Sequence, residues 1–220
     1  MPNWIVKRAA GLLLAVGLID GTVTIARLVE TTPYKTALDA VAIVAGGFLL
    51  LGGPRATLWV RTLAVFGLSG GIVLVIAAPL FQPLDLTLTE IRLDPSNLDA
   101  KGSLVLAVLC ITLWITWQLG RASVRDAIIA SGIRSWDMRI PAQAGAGVIA
   151  LASFLLWLTL HGQSADLATT LALQQLGPDY RYHLSWISGS GNGHGTTITG
   201  VVTAWNKTEL KKVLLQWQTP

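Results

Sequence analysis

The sequence predicts a mainly α-helical membrane protein, with a five-helix transmembrane bundle and a small C-terminal extracytoplasmic α+β domain. Of its 220 residues, 52% are hydrophobic and 13% are charged, whereas an average soluble domain carries about 25% charged residues. The apolar residues come in runs that approach or reach the length of a membrane helix, about 17 to 25 residues. From residue 163 onward the pattern changes to a short helix and alternating strands. We therefore place the bundle in residues 1–162 and the outer domain in residues 163–220.

Five apolar runs are the predicted spans, at residues 9–26, 36–51, 63–81, 104–120 and 144–160. The alternative for the first run is a cleaved signal peptide, because Lys7 and Arg8 precede it and Thr24-Ile25-Ala26 weakly resembles a cleavage site. An uncleaved span is favoured because the apolar sequence continues up to Ala26.

The distribution of Lys and Arg predicts a cytoplasmic N-terminus and an extracytoplasmic C-terminal domain, since cytoplasmic loops are enriched in these residues. The inner segments hold eight of them, and the two outer loops hold four, which are Arg27, Lys35, Arg92 and Lys101. The net charge of +4 is largely explained by this bias and does not indicate nucleic-acid binding. Short loops and compactness favour a bacterial inner membrane.

Two loop segments have patterns of their own. The inner segment Arg121–Ile140 is amphipathic and basic, which predicts either a helix on the anionic leaflet or a docking surface for a cytoplasmic partner. The outer segment Leu84–Thr89 alternates apolar and polar residues, which predicts a strand. A lone strand needs backbone partners, so we expect residues 84–93 to pack on or pair with the C-terminal sheet.

The C-terminal domain is predicted to contain one helix and a three-stranded antiparallel sheet. Ser164 is the expected cap of a helix over residues 165–176, and Gly177 with Pro178 is expected to end it. The alternating segments that predict strands are Tyr180–Trp186, with Tyr180, Tyr182, Leu184 and Trp186 on one apolar face, then Ile198–Trp205 and Lys212–Gln218. A helix over Thr208–Leu215 is the competing interpretation of the last strand.

An acidic residue inside a predicted span is a candidate functional group, because a buried carboxylate is costly in a membrane. The intramembrane polar candidates are Asp20, Thr24, Arg27 and Asp39. Asp20 and Thr24 are four residues apart, and Arg27 follows close to the same helix face. The favoured interpretation is a polar stripe that joins helices, and the alternative is ion transport through Asp20.

Small residues predict where the helices approach closely. Two GxxxG patterns place the candidate packing positions at Gly17, Gly21, Gly67 and Gly71, and Gly46-Gly47 and residues 144–147 add further small surface.

The stretch SWISGSGNGHGTTITG, residues 185–200, resembles a ligand loop only at first sight. It has no lysine for a phosphate loop, and its third glycine position for a dinucleotide loop holds His194. Asn192-Gly193 is a strong hairpin signal. We therefore predict a long hairpin tip formed by Gly189, Gly191, Asn192, Gly193, His194 and Gly195.

No set of residues in the sequence predicts catalysis, a metal site or a cofactor. The three histidines lack metal-helix spacing, Cys110 is the single cysteine, and no nucleophile motif occurs. The leading prediction is an accessory or assembly subunit, not an enzyme, whose outer domain binds other membrane or periplasmic proteins and whose spans contact the lipid bilayer. The alternative is a small transporter or ion-conducting protein using Asp20, and a membrane enzyme at the outer interface ranks last.

Overall fold

A computed structural model shows eight helices followed by three strands in the residues that it describes, 3–29, 38–93, 95–134, 136–192 and 195–219. The elements are α1 (Asn3–Val29), α2 (Leu38–Leu51), α3 (Gly53–Phe81), α4 (Leu84–Leu93), α5 (Pro95–Leu119), α6 (Ala122–Ala130), α7 (Arg139–Leu160), α8 (Gln163–Leu176), β1 (Arg181–Asn192), β2 (Gly195–Trp205) and β3 (Leu210–Thr219).

Three helices of the described chain are long and apolar enough to cross a membrane, judged by length and composition. They are Gly53–Phe81, Gly102–Leu119 and Arg139–Leu160, and Ala40–Leu51 is a shorter apolar helix. Most of their apolar side chains are exposed, as in Ile76, which is 72% exposed. These features are consistent with a membrane protein, while the predicted count of five spans stays a prediction.

The membrane-capable helices begin well before the apolar runs from which they were predicted. α3 begins at Gly53 instead of Leu63, and α5 begins at Pro95 instead of Leu104. Hydropathy marks only the apolar part of a helix, whereas the backbone hydrogen bonds continue through polar residues. Gly53 has a positive φ of 61°, and Pro54 occupies the first turn of α3, where proline is well tolerated.

The chain forms two compact units, and the first contains residues 1–69 and 108–145. Its core joins α1, α2, α3 and α5 through Val6, Ala9, Ala10, Leu49, Val60, Ile115 and Leu119. α1 and α2 approach closely at Gly46, where an added Cβ would lie 3.0 Å from the backbone oxygen of Ala10. This contact explains the glycine at that position.

In the same unit, the short helix α6 buries its apolar face in protein. Val124 and Ile128 pack with Ile5 of α1, while Ile129 remains 55% exposed. Of the amphipathic segment Arg121–Ile140, only Ala122–Ala130 forms a separate helix, and α7 already begins at Arg139. Part of the apolar stripe of this segment is thus used for packing within the chain, and both its position on the leaflet and its docking of a cytoplasmic partner stay predictions.

The second unit contains residues 70–107 and 146–220, and the predicted three-stranded antiparallel sheet is confirmed there. The strand order is β1-β2-β3, and α8 lies on one face of the sheet. The core under α8 consists of Ala165, Ala168, Ala172, Leu184, Val202 and Leu215, with Leu160 from the end of α7. The competing helix over Thr208–Leu215 is wrong, because β3 pairs with β2 along its whole length.

The outer segment Leu84–Thr89 is a helix, so the predicted strand is wrong. α4 follows Pro83 and carries Asp85 in its first turn, a position where a carboxylate favours the helix dipole. A helix satisfies its own backbone groups, whereas a strand needs a neighbouring strand. The predicted packing of this segment on the sheet is confirmed by an ion pair between Asp85 and Arg181 of β1.

Helix α8 begins at Gln163, two residues earlier than the predicted start at Ala165. Its N-cap residue is Gly162, whose carbonyl accepts from Ala165 N at 2.8 Å, and the predicted Ser164 cap is wrong because Ser164 lies inside the first turn. At the other end Gly177 takes a φ of 83°, which agrees with the expected stop.

Candidate functional site

The sheet of the second unit has two faces, and a bulge in β1 decides which side chains each face carries. Leu184 pairs with Val202 and Trp186 pairs with Val201, so Ser185 is the extra residue. A bulge changes the alternation of the strand, and Ile187 therefore takes the place under α8 that we predicted for Trp186. The prediction of Trp186 on the face of Tyr182 and Leu184 is wrong for this reason. Ser185 Oγ lies 2.6 Å from Thr203 Oγ1.

The face away from α8 carries an apolar row that crosses all three strands. Trp186 pairs with Val201, and Val201 pairs with Leu214. Trp186 is 50% exposed and Leu214 is 69% exposed. We call Trp186, Val201 and Leu214 the open apolar row.

Polar residues flank the open apolar row on both sides. One neighbouring row is Ser188, Thr199 and Gln216, and the other is His183, Thr203 and Lys212. An apolar centre with a polar rim is the usual anatomy of a protein-binding surface. Among the flanking residues Thr203 is buried, whereas Lys212 and Gln216 are exposed.

The same face is anchored at its other end by polar contacts. Arg181 donates to the Asp85 carboxylate, and this hydrogen bond holds the pKa of Asp85 below its ordinary value. His183 Nε2 lies 2.6 Å from the carbonyl oxygen of Phe81, and burial lowers the pKa of the imidazole. Trp205 is buried in this part of the sheet. The sheet is therefore covered next to the open apolar row but not over it.

A cleft of about 540 Å³ lies between the α7–α8 junction and the glycine-rich part of the sheet. Leu158 and Thr159 line it from α7, Gln163 and Ser164 from α8, and Ile187, Ser188, Gly189 and Ile198 from the strands. None of the described lining residues is ionisable. The described walls of the cleft combine apolar side chains with neutral polar ones.

The glycine stretch is mostly strand. Gly189, Gly191 and Asn192 lie in β1, Gly195 lies in β2, and Asn192 pairs with Gly195. The long hairpin tip predicted for these four residues is wrong, because the ladder continues almost to the turn. Gly193 and His194 lie outside the described residues.

The intramembrane polar candidates are only partly described. Asp20 is half-buried in α1 and makes an interaction within the structure. Thr24 and Arg27 lie in α1 and Asp39 lies in α2, but the surroundings of their side chains lie outside the described part of the structure. Their joining of helices and their role in transport both stay predictions.

The predicted packing glycines have different surroundings. Gly17 is buried and Gly71 is half-buried, while the surroundings of Gly21 lie outside the described residues. Gly67 is exposed, with no atom of the described residues within 4 Å of an added Cβ, and its role in packing stays a prediction. The close approach occurs at Gly145, where an added Cβ would lie 2.6 Å from Ser69 Oγ and closer still to Phe66 O.

Sequence reasoning missed the open apolar row, although the sequence contains a signal for it. Trp186 and Ile187 are adjacent apolar residues in a strand that otherwise alternates, and such a break indicates a change of face. Val201 and Val202, and Leu214 and Leu215, are adjacent in the same way. On the neighbouring strands the second member of each pair lies under α8 and the first lies in the row.

Compared with protein-family models, curated proteins and solved structures, the chain matches none of them. Among the described residues, no three His, Cys, Asp or Glu side chains converge as a metal site would require.

Proposed function

We propose that this protein is a non-enzymatic accessory or assembly subunit of the membrane, whose α+β unit docks a partner protein through the open apolar row. The observation that carries the proposal is the half-exposed indole of Trp186, which lies in register with Leu214 across Val201. Tryptophan is enriched among the residues that dominate binding energy at protein interfaces. Single exposed apolar residues are ordinary, whereas a contiguous row across three strands marks an interaction surface.

Docking is proposed to occur on the extracytoplasmic side of the membrane. The excess of Lys and Arg in the inner segments supports an extracytoplasmic position for the sheet. The partner is then another membrane or periplasmic protein, and a bacterial inner membrane is the setting that we propose.

Photo-crosslinking tests this function in the full chain. We expect benzoylphenylalanine at Leu214 to crosslink a second protein in irradiated cells, because the side chain faces away from α8. The same amino acid at Gln174, an exposed position of α8, is the matched control. Adducts with lipid alone at position 214, or equal crosslinking from position 174, would refute the docking surface.

A substitution in the row measures its contribution. Trp186→Ala is expected to weaken retention of the crosslinked partner about 30-fold, the loss of about 2 kcal/mol that defines an interface hot spot. Thermal unfolding of the purified protein serves as the control for folding. Unchanged retention by this variant would contradict the assignment of Trp186 as the anchor.

A further inference from the structure

A second surface, in the unit of residues 1–69 and 108–145, concentrates positive charge at the end of α5. Arg61 of α3 is half-buried and reaches that end, because its Nη2 lies 3.7 Å from the position of a Cβ on Gly120. Arg125 of α6 is exposed and lies within electrostatic reach of Arg61. Two guanidinium groups of like charge are therefore held near each other by packed helices.

Neither of these charges is compensated by an acidic side chain in the described structure. The ion pairs of the described residues are Arg181–Asp85 and Lys211–Glu209, both in the other unit. Arg61 Nε is buried without a hydrogen-bond partner among the described atoms. A buried polar group without a partner is costly, and the repulsion between the two arginines adds to that cost. A bound anion would offset the repulsion between the two guanidinium groups.

The last turn of α5 supplies additional hydrogen-bonding groups. Thr116 Oγ1 and Gln118 Oε1 are buried without partners among the described atoms, and Gln118 is only 7% exposed. The Thr116 hydroxyl carries a proton that can be donated to an anion, whereas Gln118 Oε1 is an acceptor and lies on the opposite face of α5. A side chain at Gly120 would contact the Arg61 guanidinium, since the Cβ position lies 3.7 Å from Nη2, so the glycine leaves that side of Arg61 uncovered by residue 120.

The surrounding aromatic residues indicate the depth of this surface in a membrane. Trp117, one turn before Arg121, is 58% exposed, and the Arg121 guanidinium lies 4.5 Å above its ring. Trp59 of α3 is 48% exposed and packs edge-on against Trp136. Tryptophan is enriched at the level of the lipid headgroups. These tryptophans support a position of the arginines at the level of the lipid phosphates.

We propose that Arg61 and Arg125, with Thr116 at the end of α5, form a binding site for the phosphate of an anionic phospholipid headgroup. Arginine presents a planar fork of N–H donors that matches phosphate oxygens in pairs. Basic pockets between membrane helices bind anionic headgroups in this manner. The site is independent of the docking surface on the sheet.

Native mass spectrometry of the full chain in a non-ionic detergent tests the site. The probes are phosphatidylglycerol, phosphatidylcholine with the same acyl chains, and inorganic phosphate. We expect one phosphatidylglycerol to bind at least about tenfold more tightly than phosphatidylcholine, because both lipids carry a phosphate but the quaternary ammonium of choline adds a positive charge that Arg61 and Arg125 repel. Equal binding of the two lipids would overturn the proposal, and phosphate that displaces the lipid at equal concentration would assign the site to free phosphate.

Variants identify the residues of the site. Arg61→Gln is expected to weaken phosphatidylglycerol binding about tenfold. Arg61→Lys is expected to weaken the binding by a smaller factor, since lysine keeps the positive charge but lacks the paired N–H donors of the guanidinium group. Arg55→Gln is the matched control, because it removes an exposed arginine of the same helix, and we expect less than a twofold change. Arg125→Gln covers the case in which Arg61→Gln fails to fold, because Arg125 is exposed. Equal losses in Arg55→Gln and Arg125→Gln would show general charge attraction and overturn the site.

Discussion

At the scale of single residues, one glycine sets the contact between two membrane-capable helices. Gly145 of α7 approaches α3 so closely that an added Cβ would meet the backbone of Phe66 and the hydroxyl of Ser69. Gly147 is two residues away in the same helix, and no atom of the described residues lies within 4 Å of its Cβ position. The requirement for a small residue is thus local, and it follows from the backbone of the opposing helix.

Gly145→Ala is expected to destabilise the protein by about 1 to 3 kcal/mol, because a methyl group without space forces the helices apart. Gly147→Ala is the matched control and is expected to be neutral or stabilising by up to about 1 kcal/mol, since alanine favours the helix. Thermal unfolding in detergent measures both variants. A lower midpoint for Gly147→Ala than for Gly145→Ala would contradict the packing.

Another residue, His183, is expected to make the stability of its unit depend on pH. Burial lowers the pKa of its imidazole below the ordinary 6.5. The unfolded chain therefore binds this proton more readily than the folded chain, and the stability decreases as the pH falls below about 6.5 through the folded pKa.

Unfolding midpoints between pH 5 and pH 8 check this effect. The wild type is expected to lose stability on the acid side, and His183→Gln is expected to lose less, since its amide does not titrate. The amide still offers a donor to the carbonyl of Phe81. Identical profiles for the two proteins would show that His183 does not carry the dependence.

At the scale of elements, three alanines allow α8 to lie close to the sheet. Ala165, Ala168 and Ala172 are buried at spacings that repeat one face of a helix. Gly200 of β2 contributes to the same fit, because a Cβ there would lie 3.0 Å from the Trp217 ring. Close packing of this kind leaves no volume for larger side chains.

Ala168→Leu is expected to destabilise the protein by about 1 to 3 kcal/mol through overpacking under α8. Gln174→Leu introduces the same side chain at an exposed position of the helix and is expected to change stability by less than about 0.5 kcal/mol. Thermal unfolding compares the two. An equal loss in both variants would mean that α8 is not fixed on the sheet by this face.

Elements with strong local signals were predictable, and elements whose pattern depends on neighbours were not. The sheet was predicted because alternation and turn residues are local. The pattern Leu84-Asp85-Leu86-Thr87 also alternates, yet it forms the helix α4, whose own hydrogen bonds satisfy the backbone without a neighbouring strand. The bulge at Ser185 was not predicted, because a bulge is defined by the register with β2.

At the scale of the whole molecule, the sidedness of the chain is a prediction from charge. The inner segments hold eight Lys and Arg residues, and the outer loops hold four. We expect alkaline phosphatase fused after the last residue to be active, because this reporter folds only outside the cytoplasm. The same reporter fused after Gly132 is expected to be inactive. The reverse pattern would invert the topology and place the open apolar row in the cytoplasm.

The candidate surfaces could be predicted only in part. The apolar runs and the basic character of Arg121–Ile140 are visible in the sequence, but the meeting of Arg61 with the end of α5 joins residues far apart in the chain. The exposure of Trp186 likewise depends on the pairing of β1 with β2. Both are consequences of contacts that no local pattern encodes.

The sequence by itself determined that the chain has membrane-capable apolar helices and ends in a three-stranded antiparallel sheet, because hydropathy and alternation are properties of neighbouring residues. The tertiary structure alone decided which helix faces are buried, where glycine is required, and which side of the sheet remains open. These features depend on register and on the backbones of opposing elements, and both arise only when the elements pack.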